Sequence, residues 1–187
     1  MIKTYYDSPL GPIILIANRG HLVYCNWDLP ECFSKLKSVE SNLDNQISLL
    51  DSIIINETAR QLDQYFSGDR KEFDIPLSFI GTEFRRQIWA HLLQIKYGEV
   101  VAYRELAEIA GNPKGFRAVA GACGHNPISI IVPCHRVVNL DGTIGGYTGG
   151  IEKKISLLNL ERRFKINKIT KNDKIFTIGF GGMKKTP

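Results

Sequence analysis

Arg104-Glu105-Leu106-Ala107-Glu108-Ile109-Ala110-Gly111-Asn112-Pro113-Lys114-Gly115-Phe116-Arg117-Ala118-Val119-Ala120-Gly121-Ala122-Cys123 reads as two short helices divided by a turn. Gly111 stops the first helix, which runs from Arg104 to Ala110. Asn112-Pro113-Lys114-Gly115 turns the chain, and the second helix runs from Phe116 to about Cys123. That arrangement is a helix-turn-helix signature. Upstream, Thr82 can cap a helix with the apolar face Phe84, Ile88, Trp89, Leu92, Leu93 and Ile95. Downstream, a last helix is expected from Glu152 to about Glu161, buried along Ile155, Leu157, Leu158 and Leu160.

The N-terminal part has a different texture. Leu10 to Ala17 and His21 to Trp27 are β-rich runs joined by Asn18-Arg19-Gly20, a hairpin pattern. Pro30 to about Ser52 reads as polar and helical or loop-rich. Glu57 to Phe66 is a helix with Asn56 as N-cap and Gly68 as stop. Phe73 to Phe79, with Pro76 inside it, reads as an edge strand or linker. These textures divide the chain into an α/β part (1–81), a helical part (82–161) and a tail (162–187).

The charge divides along the same lines. Residues 1–81 hold 7 basic and 11 acidic side chains, residues 82–161 hold 9 and 7, and residues 162–187 hold 8 and 1. The overall +5 therefore comes from the tail, where Lys174 to Ile178 could form a strand. Four cysteines are too few for a disulfide scaffold at 187 residues. With no apolar run of spanning length and no signal-peptide core at the N-terminus, a cytoplasmic protein without a membrane partner is expected. His21, Cys25 and Cys32 have irregular spacing and no evident fourth ligand, so no metal is expected.

The chemistry concentrates at Ile130-Ile131-Val132-Pro133-Cys134-His135-Arg136-Val137-Val138. The β-branched Ile130 to Val132 reads as a buried strand or tight core segment, ended by Pro133. If a helical turn starts there, Cys134 would sit among unpaired N–H groups that favour its thiolate. His135 adds a proton acceptor and Arg136 a permanent charge. Beyond lies the loop Gly142-Thr143-Ile144-Gly145-Gly146-Tyr147-Thr148-Gly149-Gly150, which lacks the Lys-Ser/Thr ending of a phosphate-binding loop.

Taken in order, Gly98-Glu99-Val100-Val101-Ala102-Tyr103, Gly111-Asn112-Pro113, Arg117-Ala118-Val119, Asn126-Pro127, Pro133-Cys134-His135-Arg136-Val137 and Gly145 to Gly150 resemble the C-terminal domain of the O6-alkylguanine-DNA alkyltransferases. Ser8-Pro9-Leu10-Gly11 and the hairpin resemble the family's variable N-terminal domain more loosely. The resemblance implies an α/β fold class: a mixed α/β, ribonuclease H-like N-terminal domain and a helical, winged helix-turn-helix-like C-terminal domain. It implies irreversible, single-turnover transfer of an alkyl group from O6-alkylguanine in double-stranded DNA to Cys134, without a cofactor, by a monomer. O4-alkylthymine would be a poorer substrate.

The resemblance also assigns roles. His135 is the base, acting through a water, and Glu161 orients it; Tyr103 donates a proton to the nucleobase. Arg117 takes the place of the flipped base while its helix lies in the minor groove, where Ala118 and Gly121 allow close packing. Asn126 ties that helix to the active-site segment, and Arg136 joins the DNA-binding set. Thr148 N–H faces O6, the Cys134 and Val137 carbonyls accept from the exocyclic amine, and Tyr147 walls the pocket. Phe116 departs from the small or aliphatic residue common before the arginine, and the tail extends beyond the resemblance. Two rivals stay open: a non-catalytic DNA-binding or damage-recognition module, which would not need the cysteine, and a cysteine hydrolase, which would leave Arg117 unexplained.

Overall fold

A computed structural model describes residues 1–43 and 48–166 of the chain. It opens with an antiparallel sheet of β1 (Ile2–Ser8), β2 (Gly11–Asn18) and β3 (His21–Trp27), in that order. The expected hairpin is present, pairing Ile13 with Trp27 and Asn18 with His21. Arg19 and Gly20 both take positive φ (52° and 73°), the two-residue turn whose twist suits paired strands. The half-buried edge strand β1 was not foreseen, although its exposure alternates residue by residue.

The central strand β2 is covered on both sides, which is why it reads as continuous apolar sequence rather than alternating. Ile14 and Ile16 pack with Leu36 and Val39 of α1 (Phe33–Glu40). Ile13, Leu15 and Ala17 face the larger core, which includes Ile54, Leu62 and Tyr65 of α2 (Leu49–Ser67). This long helix starts well before the expected Asn56. Ser48 is its N-cap, accepting from Leu50 N at 3.2 Å, and Asn56 lies in the helix interior. Gly68, at φ 88°, ends it as expected. Residues 73–79 then run along β3, with Leu22 N donating to Pro76 O and Ser78 N to Leu22 O.

The remaining elements are α3 (Glu83–Leu92), β4 (Val101–Ala102), α4 (Tyr103–Ile109), α5 (Phe116–Gly124), β5 (Val137–Val138) and α6 (Ile151–Ile166). Thr82 caps α3, and Trp89 Nε1 ties that helix to α5 by donating to Ala122 O at 2.9 Å. Gly111, at φ 73°, closes α4 before the turn into α5. Helix α6 runs on past Glu161 to Ile166, and its buried stripe is Lys154, Leu157, Leu158 and Glu161. Ile155 and Leu160 are only half-buried. The expected strand at 174–178 lies outside the described residues.

The segment before Cys134 is a tight turn in the core, the second of its two readings rather than a strand. Ile130 is buried at φ 72°, where a β-branched residue is strained by about 1–3 kcal/mol. Its neighbours hold it there: Ser129 N donates to Cys25 O, Ile131 N to Ser129 O and Val132 N to Ile128 O. Cys25 N also donates to Pro127 O, so β3 grips the chain entering the site. Among the described residues no helix is long and apolar enough to cross a membrane.

Candidate active site

Cys134 follows Pro133 in a single 3₁₀ turn, Cys134–Arg136, and is 6% exposed. It lines a cavity of about 630 Å³ with Tyr103, Arg117, Cys123, Tyr147 and Thr148. Two N–H groups of the turn are already engaged, Cys134 N donating to Val132 O at 2.8 Å and Arg136 N to Pro133 O at 3.0 Å, although the Cys134 N–H still favours the thiolate. Burial pushes the Cys134 thiol above its ordinary value, while a 3.2 Å hydrogen bond from Asn126 Nδ2 and the charges of Lys35 and Lys154 pull it back. At rest the sulfur is a thiol whose proton must be taken.

The adjacent side chain can take it. His135 is fully buried, and its Nε2 lies 2.8 Å from Glu161 Oε1. Burial holds the imidazole below its ordinary value against the pull of Glu161, so it is neutral at pH 7. A neutral ring donating from Nε2 presents the Nδ1 lone pair, and Nδ1 has no protein partner among the described residues.

Glu161, although 96 positions from Tyr65 and 63 from Gly98, accepts from Tyr65 Oη (2.8 Å) and Gly98 N (2.9 Å). Burial alone would raise its carboxyl, but His135 and Arg136 together hold it well below the usual range. Because His135 is neutral, the ionised state rests chiefly on the Arg136 fork, with Nε at 3.0 Å and Nη2 at 2.9 Å.

Arg136 is therefore not a DNA contact. It is 6% exposed, and its Nη1 donates to Ile95 O, so no part of the fork faces outward. Asn126 is likewise buried and works from within, donating to Val132 O (2.8 Å) and to the cysteine sulfur. Ile128 N donates to its Oδ1, which fixes the amide orientation.

Lys154 was missed from the sequence. It is fully buried, with its ammonium 2.6 Å from Val137 O, 3.1 Å from Gly146 O and 5.8 Å from the Tyr103 ring. Burial lowers it to about 8. It ties the active-site strand to the loop and to α4, and it occupies one lone pair of the Val137 carbonyl expected to meet the base. Spacing could have found it, because Lys154 precedes Leu157, Leu158 and Glu161 at i+3, i+4 and i+7.

Around the cavity mouth, Tyr103 Oη is 3.4 Å from Gly146 O, and burial raises the phenol to about 12, so it stays a donor. Tyr147 Oη accepts from Trp27 Nε1 at 3.2 Å, and Thr148 Oγ1 donates to Gly124 O at 2.9 Å. Gly149 is required by the fold itself, since a Cβ there would overlap the Trp27 indole. At Gly146 a Cβ would meet nothing within 4 Å.

Over residues 83–163 the sequence matches the DNA-binding domain of 6-O-methylguanine DNA methyltransferase, and over residues 1–79 its ribonuclease-like domain. The chain belongs to the methylated-DNA–protein-cysteine methyltransferase family. A member from Methanosarcina acetivorans is 40% identical over 161 residues, covering 86% of this chain and 98% of its own. One from Haemophilus influenzae is 37% identical, covering 91% and 92%. A Mycobacterium tuberculosis OGT solved in complex with DNA superposes with a TM-score of 0.70 at 36% identity, covering 86% of this chain and 92% of that one.

In this methyltransferase-family chain, the outer side of α5 carries small residues and an arginine. Arg117, Ala118, Gly121 and Gly124 are exposed, while Val119, Ala122 and Cys123 are buried. A Cβ at Gly121 or Gly124 would meet nothing within 4 Å, so the protein's own packing does not demand glycine at either place. Gly121, inside the helix, costs about 1 kcal/mol against alanine, and the two glycines leave a smooth exposed surface on this side of α5. Phe116 is 39% exposed, and its ring lies 5.8 Å from the Arg117 guanidinium, so it packs beside the arginine rather than into the core.

Proposed function

We propose that this protein repairs DNA by direct reversal, moving an alkyl group from O6 of guanine to the sulfur of Cys134. The observation that carries the reading is the position of that sulfur. It lies in a cavity that Arg117, Ala120 and Gly124 of α5 also line, with His135 next to it in the chain and bonded to Glu161. An sp³ carbon on oxygen calls for in-line attack by a soft nucleophile, which a thiolate supplies. The thiol proton passes to His135 Nδ1 through a water, and Glu161 stabilises the imidazolium. The S–C bond forms as the C–O6 bond breaks, and the electron pair left on the base is neutralised by a proton from Tyr103.

The target base leaves the duplex to reach the sulfur, with α5 in the minor groove and Arg117 filling the gap. Thr148 N–H faces O6, the Cys134 and Val137 carbonyls accept from the exocyclic amine, and Tyr147 closes the pocket wall. The thioether product has no leaving group, so each molecule reacts once. The protein acts as a cytoplasmic monomer, needs no cofactor, and takes O4-alkylthymine less well.

The test is a duplex oligonucleotide carrying O6-methylguanine, incubated with stoichiometric protein. One methyl should appear on the peptide containing Cys134 and nowhere else. Cys134→Ser should bind the duplex without accepting the group. Multiple turnover, or wild-type protein that binds the lesion and stays unmodified, would refute the reading, the second outcome in favour of a damage-recognition module.

A further inference from the structure

The N-terminal half brings a charge to the site that the transfer chemistry does not use. Lys35, on α1, is 8% exposed, and no carboxylate pairs with it among the described residues. Its Nζ lies 3.5 Å from the main-chain oxygen of Asn126, which also accepts from Asn26 Nδ2 at 3.1 Å. Asn126 in turn places its own Nδ2 3.2 Å from Cys134 Sγ. Leu36 and Val39 already bury the same helix, so packing does not call for a lysine. An unpaired buried ammonium is strongly disfavoured, and among the described residues the groups whose negative charge would favour this one are the Cys32 and Cys134 thiols.

We propose that Lys35 is a positioning residue for the transfer: it anchors Asn126 from the N-terminal half and presents a positive charge that stabilises the Cys134 thiolate. The charge acts on the anion that forms only when the thiol gives up its proton, which is the state the reaction needs. The role is stated for the reaction proposed above, though its first readout does not depend on DNA.

The groups facing the sulfur are Lys35 and Cys32 from the N-terminal half and Lys154, Cys123, Tyr103 and Tyr147 from the C-terminal half, besides the adjacent His135. Of these the two lysines are cations at neutral pH, and Arg117, which lines the same cavity, is a third. Lys154 is held by the Val137 and Gly146 carbonyls and is untouched by a change on α1. Removing Lys35 thus takes one positive charge away from the thiolate and leaves the others in place.

The experiment compares the full-length wild type, Lys35→Met and Lys35→Arg. Alkylation of Cys134 by iodoacetamide is followed peptide by peptide, from about pH 6 to about pH 10. Loss of one unit charge acting across a buried site at an effective dielectric near 20 moves a pKa by about one unit. Lys35→Met should therefore react about tenfold more slowly at neutral pH and converge with the wild type at high pH. Lys35→Arg should restore the profile, and the urea midpoint of Lys35→Met should equal or exceed that of the wild type.

Methyl transfer from duplex DNA should show the same upward displacement. An unshifted profile for Lys35→Met, or a loss of the same factor at every pH, overturns the proposal, the latter marking a merely structural role. If Lys35→Met does not fold, Lys35→Gln keeps a donor to the Asn126 oxygen and reads the charge alone, with the same criteria. A shifted iodoacetamide profile in a protein that takes no methyl from DNA would sink the proposed function and leave this role standing.

Discussion

Replacing Glu161 by glutamine should cost the fold about 3–5 kcal/mol, because it breaks a buried ion pair from one side. The carboxylate is fully buried and accepts from Tyr65 Oη, Gly98 N, His135 Nε2 and the Arg136 fork. Glutamine preserves the volume, but its nitrogen can only donate, so one of these donors meets another donor. Arg136, 6% exposed, is left without an anion. For a chain of this size the loss corresponds to a fall in Tm of about 6–20 °C. Arg136→Met should fall nearer the lower end, about 3 kcal/mol, since Glu161 keeps three other donors. The double variant removes both charges, so it should be less damaged than the sum of the singles by about 2–3 kcal/mol. Urea unfolding at a common m-value measures all three. If Glu161→Gln loses under about 1 kcal/mol, or the two changes simply add, the pair is not the buried unit described here.

The acid limb of stability should begin with His135. Its folded pKa lies below the ordinary 6.5, so the unfolded chain binds the proton first; stability is fully present above about pH 6.5 and is lost as pH falls toward the folded value. Glu161, also depressed, adds a second loss only below about pH 4.3. In His135→Gln the urea midpoint should stay level between about pH 7 and pH 5.5, and a midpoint that still falls there places the upper limb elsewhere. Gly121→Ala should raise stability by about 0.5–1 kcal/mol while weakening duplex binding, and unchanged affinity would show that this face of α5 does not approach DNA. Tyr103→Phe should slow single-turnover transfer from the duplex by roughly 10²-fold without abolishing it, whereas a wild-type rate removes the phenol from the proton path.

What could be seen in the sequence was what is local in the chain. The hairpin turn at Arg19-Gly20, the stop at Gly68, the Thr82 cap and the break between α4 and α5 each depend on a few adjacent residues whose backbone preferences are strong. The start of α2 was misplaced because two signals compete. Asn56 is a good capping residue, but seven further residues at the N-terminal end, 49–55, are helical behind Ser48, where tertiary burial of Ile54 and Ile55 decides. Ile130 to Val132 left a strand and a tight core segment both open for the opposite reason. Their β-branched run states a local preference that β3 overrides by gripping Pro127 and Ser129, leaving Ile130 at positive φ.

The same division runs through the site and explains why Arg136 was misassigned. A Pro-Cys-His-Arg string shows which residue types are adjacent, but not that the arginine turns inward to an acid 25 positions later. A permanent charge beside a cysteine in a DNA-repair frame suggests a phosphate, whereas the fold uses it to keep Glu161 ionised and so to hold the His135 ring aimed, while burial keeps that ring neutral. Tyr65, Asn26 and Lys35 carry no local signal of a role, since each meets the site across a fold-dependent distance in sequence. Lys154 differs from them. Its place in the i, i+3, i+4, i+7 stripe of α6 marks a lysine at a core position, which is a contradiction that periodicity alone can detect. A charged residue at a position that its own helix turns inward is therefore worth the same scrutiny as a reactive cysteine. Here it leads to the carbonyls of Val137 and Gly146, the two strands of chain that form the wall beside the sulfur.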